Sequence, residues 1–374
     1  MSLSNLRSPS AAPRHIVVAN PHHLGDALMM FPLAGALRRR WPQAAISFAG
    51  LPYVEPLVRA CEFFDDFIDS RDIVADPSLL KRRQVDVFLN PFPDDELAYA
   101  AWAAGTPVRI GNLLRRSARY CNRFVAYNST LKGHVLDFYG RHLRPLGIDG
   151  VDTRAEPREL HGLTRVQRLG PRWAPLLGPD RINLIVHPKT GGQAREWPLA
   201  SWLSLVRALA DHGTFRLFVT GTAAERELVH AECPDLLSGR HVHDMMGRLE
   251  LDEFLALVNA ADGLLGCSTG PLHIAAALDR HALGIYPAGR GIDPVCWAPV
   301  GRRVHILRAD GNCHPGRGAC PRAKGPPCSC TSALTPDRVL WELVVPALCA
   351  QPRAVFRRHL GDEPAPLAPA LARS

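Results

Sequence analysis

Four strand-to-helix junctions gather the residue types that group transfer needs. In Leu24-Gly25-Asp26-Ala27-Leu28, a glycine permits a tight turn and a carboxylate follows where a helix opens. That carboxylate is available as a general base, and it would serve equally as a helix cap. In the stretch from His187 to Pro198, the small residues Thr190, Gly191 and Gly192 lie between Lys189 and Arg195. Such a loop can wrap a diphosphate, or it can be a surface loop with solvated charges. Glu225 falls in the first helical turn after Thr220-Gly221-Thr222. An acid there suits the positive end of the helix dipole, and it could also hold ribose hydroxyls. The fourth junction, Gly266-Cys267-Ser268-Thr269-Gly270-Pro271-Leu272-His273, ends a strand with hydroxyls and a glycine before a helix. Free N–H groups and the helix dipole make such a place a phosphate cradle. His273 sits about one turn in, able either to face phosphates or to fill the core.

Alternating elements must carry these junctions. Short β-branched or apolar runs at 15–19, 45–49, 85–89, 108–110 and 124–126 read as strands, and 26–40 reads as one helix ended by Trp41-Pro42. Residues 151–180 are rich in Arg, Pro and Gly and read as the end of one domain and a linker. The pattern restarts with strands at 182–186, 215–219, 263–266, 282–286 and 304–307, with helices between them and a helix start at Thr335-Pro336-Asp337. Strands alternating with helices predict parallel sheets covered on both faces. The expected architecture is therefore α/β: two doubly wound, Rossmann-like domains, 1–165 and 166–350, with a cleft between them. A tail over 351–374 is expected to be partly disordered. Ligands in such sheets sit beyond the carboxyl ends of the strands.

The chain has 374 residues, 47% hydrophobic and 21% charged, with a formal net charge of +8. This composition excludes fibrous and wholly disordered classes and favours anionic partners. No apolar run reaches the ~18–20 residues of a membrane helix, and the first fifteen residues carry no apolar signal core. A cytoplasmic location is expected. The glycine fingerprint of dinucleotide enzymes and the Walker sequence are both missing.

Taken together and in order, the four junctions resemble glycosyltransferase family 9, known for the heptosyltransferases of lipopolysaccharide core assembly. The resemblance runs from about residue 14 to about residue 348 and is carried most strongly by Ser268-Thr269-Gly270-Pro271-Leu272-His273-Ile274-Ala275-Ala276-Ala277-Leu278. It implies a GT-B fold, with an N-terminal acceptor domain and a C-terminal nucleotide-sugar domain. It implies that Asp26 is the catalytic base, with Gly25 and His22 on the acceptor side. Thr190, Gly191 and Arg195, next to Lys189, correspond to the donor phosphate loop. Glu225 corresponds to an acid that holds the ribose, and Met246 lies in a loop lining the base pocket. Thr269, Gly270 and His273 correspond to the diphosphate segment. Two positions depart from the family's pattern. Ser268 stands where an acid is common, which leaves the donor sugar open between ADP-heptose and others, and Arg195 replaces a lysine.

The chemistry follows from the residues. An acceptor hydroxyl attacks the anomeric carbon while a carboxylate takes its proton, and the nucleoside diphosphate leaves as cations and a helix N-terminus meet its charge. In-line attack inverts the centre. No D-x-D pair stands near the junctions, so no metal or cofactor is expected in catalysis. The expected partners are a nucleoside-diphosphate sugar and an anionic glycolipid acceptor, with peripheral contact to the inner membrane surface and no nucleic acid. Arg38-Arg39-Arg40, Lys81-Arg82-Arg83 and Arg115-Arg116 are the basic runs that such a surface would use. A non-catalytic relative that binds sugar nucleotides and a sugar-nucleotide epimerase of the same shape are the alternatives. Separately, Cys313, Cys320, Cys328 and Cys330 lie close enough in sequence to hold a structural zinc, although the C-x6-C-x7-C-x-C spacing lacks the usual paired knuckles.

Overall fold

A computed structural model describes residues 12–127, 133–288, 294–310 and 328–349. The first half forms a six-stranded sheet of β1 (His15–Asn20), β2 (Ala45–Gly50), β3 (Asp66–Asp69), β4 (Val87–Leu89), β5 (Val108–Asn112) and β6 (Arg123–Val125). The second half forms another, of β7 (Ile182–His187), β8 (Phe215–Val219), β9 (Val242–Asp244), β10 (Gly263–Cys267), β11 (His281–Tyr286) and β12 (Val304–Arg308). Their orders are β3-β2-β1-β4-β5-β6 and β12-β11-β10-β7-β8-β9. Every neighbouring pair of strands is parallel. Both sheets are doubly wound and reverse direction between their first and fourth strands, β1 and β4 in one and β7 and β10 in the other. These reversals open the crevices where such folds bind ligands.

The long helix expected over 26–40 is two helices, Leu24–Leu28 and Phe31–Arg40. Pro32 is the reason. It has no N–H to donate, and its ring collides with a helical carbonyl four residues back. The break lets Leu24–Leu28 turn away from its own sheet and pack on the helix Gly270–Ala277 of the other half. One continuous apolar cluster runs through this junction, including Met29, Met30 and Phe31 from the first half and Leu257, Leu272 and Ile274 from the second.

The chain crosses between halves after residue 165. Arg165 N donates to Ala60 O (3.0 Å), whereas the Trp173 indole donates to Glu253 of the second half (3.0 Å). Among the described residues no helix is long and apolar enough to cross a membrane.

Candidate active site

The loop after β1 is shaped by a residue the sequence did not single out. Asn20 is fully buried at the strand's end. Its Oδ1 accepts from the His22 N–H (3.0 Å), and its Nδ2 donates to Asp26 O (3.1 Å). One side chain thus fastens both ends of the turn. The signal was a polar residue closing an apolar strand just before a proline. His22, half-buried, lies tilted against Phe92 with ring centroids 3.8 Å apart, and its carbonyl accepts from the Tyr53 hydroxyl (3.2 Å). Burial lowers the His22 pKa, partly offset by Asp94.

Asp26 occupies the third position of Leu24–Leu28, and His23 is the residue at the capping position. The simple cap reading of Asp26 therefore does not describe this helix. Burial and then the Asp26 charge raise the pKa values of both Tyr53 and Tyr139.

The second half supplies the facing wall. Thr269, in extended backbone, precedes the helix Gly270–Ala277 and leaves its hydroxyl out of any cap. Gly25 and Gly270 nearly touch. A Cβ built on Gly270 would lie 3.1 Å from Gly25 N and 3.2 Å from Leu24 Cβ, and one on Gly25 would lie 3.5 Å from His273 Cδ2. The base candidate and the helix N-terminus are thereby brought together across the domain boundary. His273 is buried in the first turn, and its Nδ1 has no hydrogen-bond partner. Burial, then His134 and His161, push its pKa down to about 3, so the ring is neutral.

His134 and His161 belong to the first half but bind the second. His134 Nε2 meets Ala298 O at 2.8 Å, and His161 Nε2 meets Val300 O at 3.0 Å. Burial lowers both, His161 to about 4. His142, also buried, is lowered to about 4. These rings bind protons more weakly folded than unfolded, where histidine titrates near pH 6.5. Their stabilising contribution is therefore full above about pH 6.5 and is lost as pH falls toward 4, at up to about 1.4 kcal/mol per pH unit for each ring. The melting temperature should fall steeply over that window, and His161→Gln should flatten the slope. An equal slope in the variant would mean that the ring at 161 contributes nothing.

The loop after β7 is built on internal partners. Lys189 Nζ lies 2.5 Å from Glu196 Oε2, with side chains 14% and 9% exposed. Glu196 Oε1 accepts from Thr190 N (3.1 Å) and Thr190 Oγ1 (3.2 Å). Gly191 and Gly192 have φ of +59° and +72°, a region suited to glycine. Gly191 N donates to Glu225 Oε1 (2.8 Å). Glu225 Oε2 accepts from Thr222 N (2.8 Å), closing a capping box. Glu225 thus joins the loops after β7 and β8. Arg195 and Met246 are buried beside them. Met246 Cε would lie 2.5 Å from a Cβ on Gly221, so a side chain there would have to displace the Met246 methyl. Ser268 hydrogen-bonds the Tyr286 hydroxyl, which itself donates to Trp297 O (3.0 Å). The hydroxyl that replaces the family's acid is therefore engaged in packing β11 and the segment after it.

The cysteine loop is only partly described. Cys313 and Cys320 lie outside the described residues. Cys328 and Cys330 have sulfurs 2.9 Å apart. Burial pushes the Cys328 thiol up, but hydrogen bonds from Cys330 and Thr331 outweigh it and bring its pKa to about 7. Among the described residues no group of three or more His, Cys, Asp or Glu side chains is arranged to hold a metal.

Known proteins share this fold. Residues 122–324 match Glycosyltransferase family 9 (heptosyltransferase). Lipopolysaccharide heptosyltransferase 2 of Salmonella typhimurium is 24% identical over 373 residues, covering 88% of this chain and 97% of the relative. The solved structure of E. coli ADP-heptose lps heptosyltransferase II superimposes with a TM-score of 0.66 at 19% identity, over 88% of this chain and 97% of that one. That of E. coli heptosyltransferase WaaC with ADP gives 0.65 at 17%, over 87% and 98%. Both share the GT-B fold described above, and the sequence match spans more than half of the residues. The chain belongs to glycosyltransferase family 9, the heptosyltransferase family.

Proposed function

We propose that this glycosyltransferase moves a heptose or related sugar, with inversion, from a nucleoside-diphosphate donor to a lipopolysaccharide or other cell-surface glycan. ADP-heptose is the donor we favour, in line with the names of the relatives. The observation that carries the reading is the contact of Gly25, which precedes Asp26, with Gly270, the first residue of the helix Gly270–Ala277. The acceptor oxygen bonds to the anomeric carbon as that carbon's bond to the donor phosphate breaks. The acceptor proton passes to Asp26, and the nucleoside diphosphate leaves with the bonding pair. N–H groups of the helix N-terminus, with the Thr269 hydroxyl, receive its charge where little water competes. His273, kept neutral by burial, can donate or accept a hydrogen bond there without adding a charge. No divalent ion has a part in this scheme, and turnover should persist in excess chelator.

Thr269→Val and His273→Ala test the donor cradle apart from the chemistry. Each should weaken ADP binding by roughly 10- to 100-fold, the equivalent of about 1.5–3 kcal/mol for a charge-assisted hydrogen bond, with the fold intact. Calorimetry with ADP reads this directly. Unchanged affinity in both variants would remove the segment from the donor site. Proton NMR of the products separates transfer to the acceptor from an epimerised nucleotide sugar, which has the donor's mass, and from binding without turnover.

A further inference from the structure

The outer face of the first domain carries an aromatic cluster that the reaction does not use. Tyr99 and Trp102 lie one turn apart on the helix Asp95–Ala103. The short helix Arg116–Tyr120 packs beside it, with the Tyr120 ring 5.3 Å from Tyr99 and 5.9 Å from Trp102. Leu113 and Leu114 lead into that helix, and Phe124 lies on β6, an edge strand. Tyr99, Trp102, Leu113, Leu114 and Phe124 are each between 40% and 57% exposed. They are five of the nine large apolar side chains that the described residues expose, all between positions 99 and 124. An apolar concentration of this kind marks an interaction surface.

The same face is basic. Arg115, Arg116 and Arg119 are exposed, and Arg123 is half-buried. The Arg119 guanidinium rests 4.7 Å from the Tyr120 ring centre. The facing acids are Asp95, 3.6 Å from Arg116, and Glu96. The other basic runs hold several of their arginines in ion pairs, although Arg39, Arg40 and Lys81 are exposed. Arg38 is bonded to Asp65 and nearby carbonyls, Arg82 to Asp76 and Arg83 to Asp66.

We propose that this face docks on an anionic lipid bilayer, with headgroup phosphates on Arg115, Arg116 and Arg119 and with Tyr99, Trp102 and the two leucines in the interfacial layer. Tyr and Trp favour that depth because one end of the ring is apolar and the other polar, and nearby arginines are drawn to anionic headgroups. A second copy of the chain fits less well, since a two-fold contact would set the same arginines against each other. Single-stranded nucleic acid fits less well too, since these rings are packed on one another rather than presenting open faces. Leu113 and Leu114 follow the carboxyl end of β5, the end of the sheet from which the Asp26 loop also leaves. A docked bilayer would therefore lie along the acceptor side.

The proposal is independent of the donor and of Asp26, and sedimentation with vesicles tests it. The full chain should co-sediment with equimolar phosphatidylcholine and phosphatidylglycerol, weakly or not at all with phosphatidylcholine alone, and less as salt rises. Tyr99→Ser with Trp102→Ser, and separately Arg115→Glu with Arg119→Glu, should each cut binding at least tenfold, leaving turnover on a soluble, deacylated acceptor unchanged. Equal binding to both vesicle types, absence of binding, or binding insensitive to both variants would overturn it. So would a dimer, or an oligonucleotide complex, that the same variants dissolve.

Discussion

Asp26→Asn should keep its melting temperature and its affinity for ADP while turnover falls by roughly 10²-fold or more. Asn preserves the shape of the side chain and its capacity to accept a hydrogen bond, but it cannot take up the acceptor's proton. The turn should survive, because Asn20 fastens it through backbone atoms of residues 22 and 26, not through the carboxylate. The loss should fall on kcat, with KM for the donor little changed, because the donor cradle belongs to the other domain. Near-wild-type transfer would refute the role of Asp26 as base. A large fall in melting temperature would instead make it a structural residue.

Lys189→Met should destabilise the protein by roughly 3–5 kcal/mol, the cost of leaving a buried carboxylate without its counter-charge. For a domain of this size that amounts to a melting temperature lower by roughly 5–15 °C. Glu196 is the group left stranded, since its second oxygen is already engaged by Thr190. Adding Glu196→Gln should recover most of the loss, because Gln keeps an acceptor for the Thr190 N–H and removes the charge. The alternative, that the ammonium serves the donor phosphates, makes the opposite forecast. Stability would then hold and ADP affinity would fall in the single variant.

Much of the fold was legible because it is written locally. Central strands such as Gly263–Cys267 are apolar throughout, and caps such as Thr335, which accepts from Arg338 N, need particular residue types. The two strands not anticipated, Asp66–Asp69 and Val242–Asp244, are the outer edges of their sheets. With four and three residues they are too short to show a period. The loops at the strand ends were visible for the same local reason, since glycines and hydroxyls there meet a backbone need. What stayed hidden was pairing over distance. Nothing near Lys189 announces Glu196 as its partner. Nothing near His134 or His161 points to the carbonyls of Ala298 and Val300. The three basic runs look alike in sequence, and only folding sets Arg116 on Asp95 and Arg119 over Tyr120 while tying Arg38 to Asp65.

The meeting of Gly25 and Gly270 also governs how the reacting distance can fluctuate. Two peptide backbones in contact form a hard stop with no side chain to swing aside. Thermal motion of the domains can carry the loop that holds Asp26 away from the helix Gly270–Ala277, but it cannot push the two closer. The distribution of that separation should be one-sided, with a sharp inner edge and a long outer tail. On the proposed mechanism, tighter substrate binding would trim the tail without moving the edge.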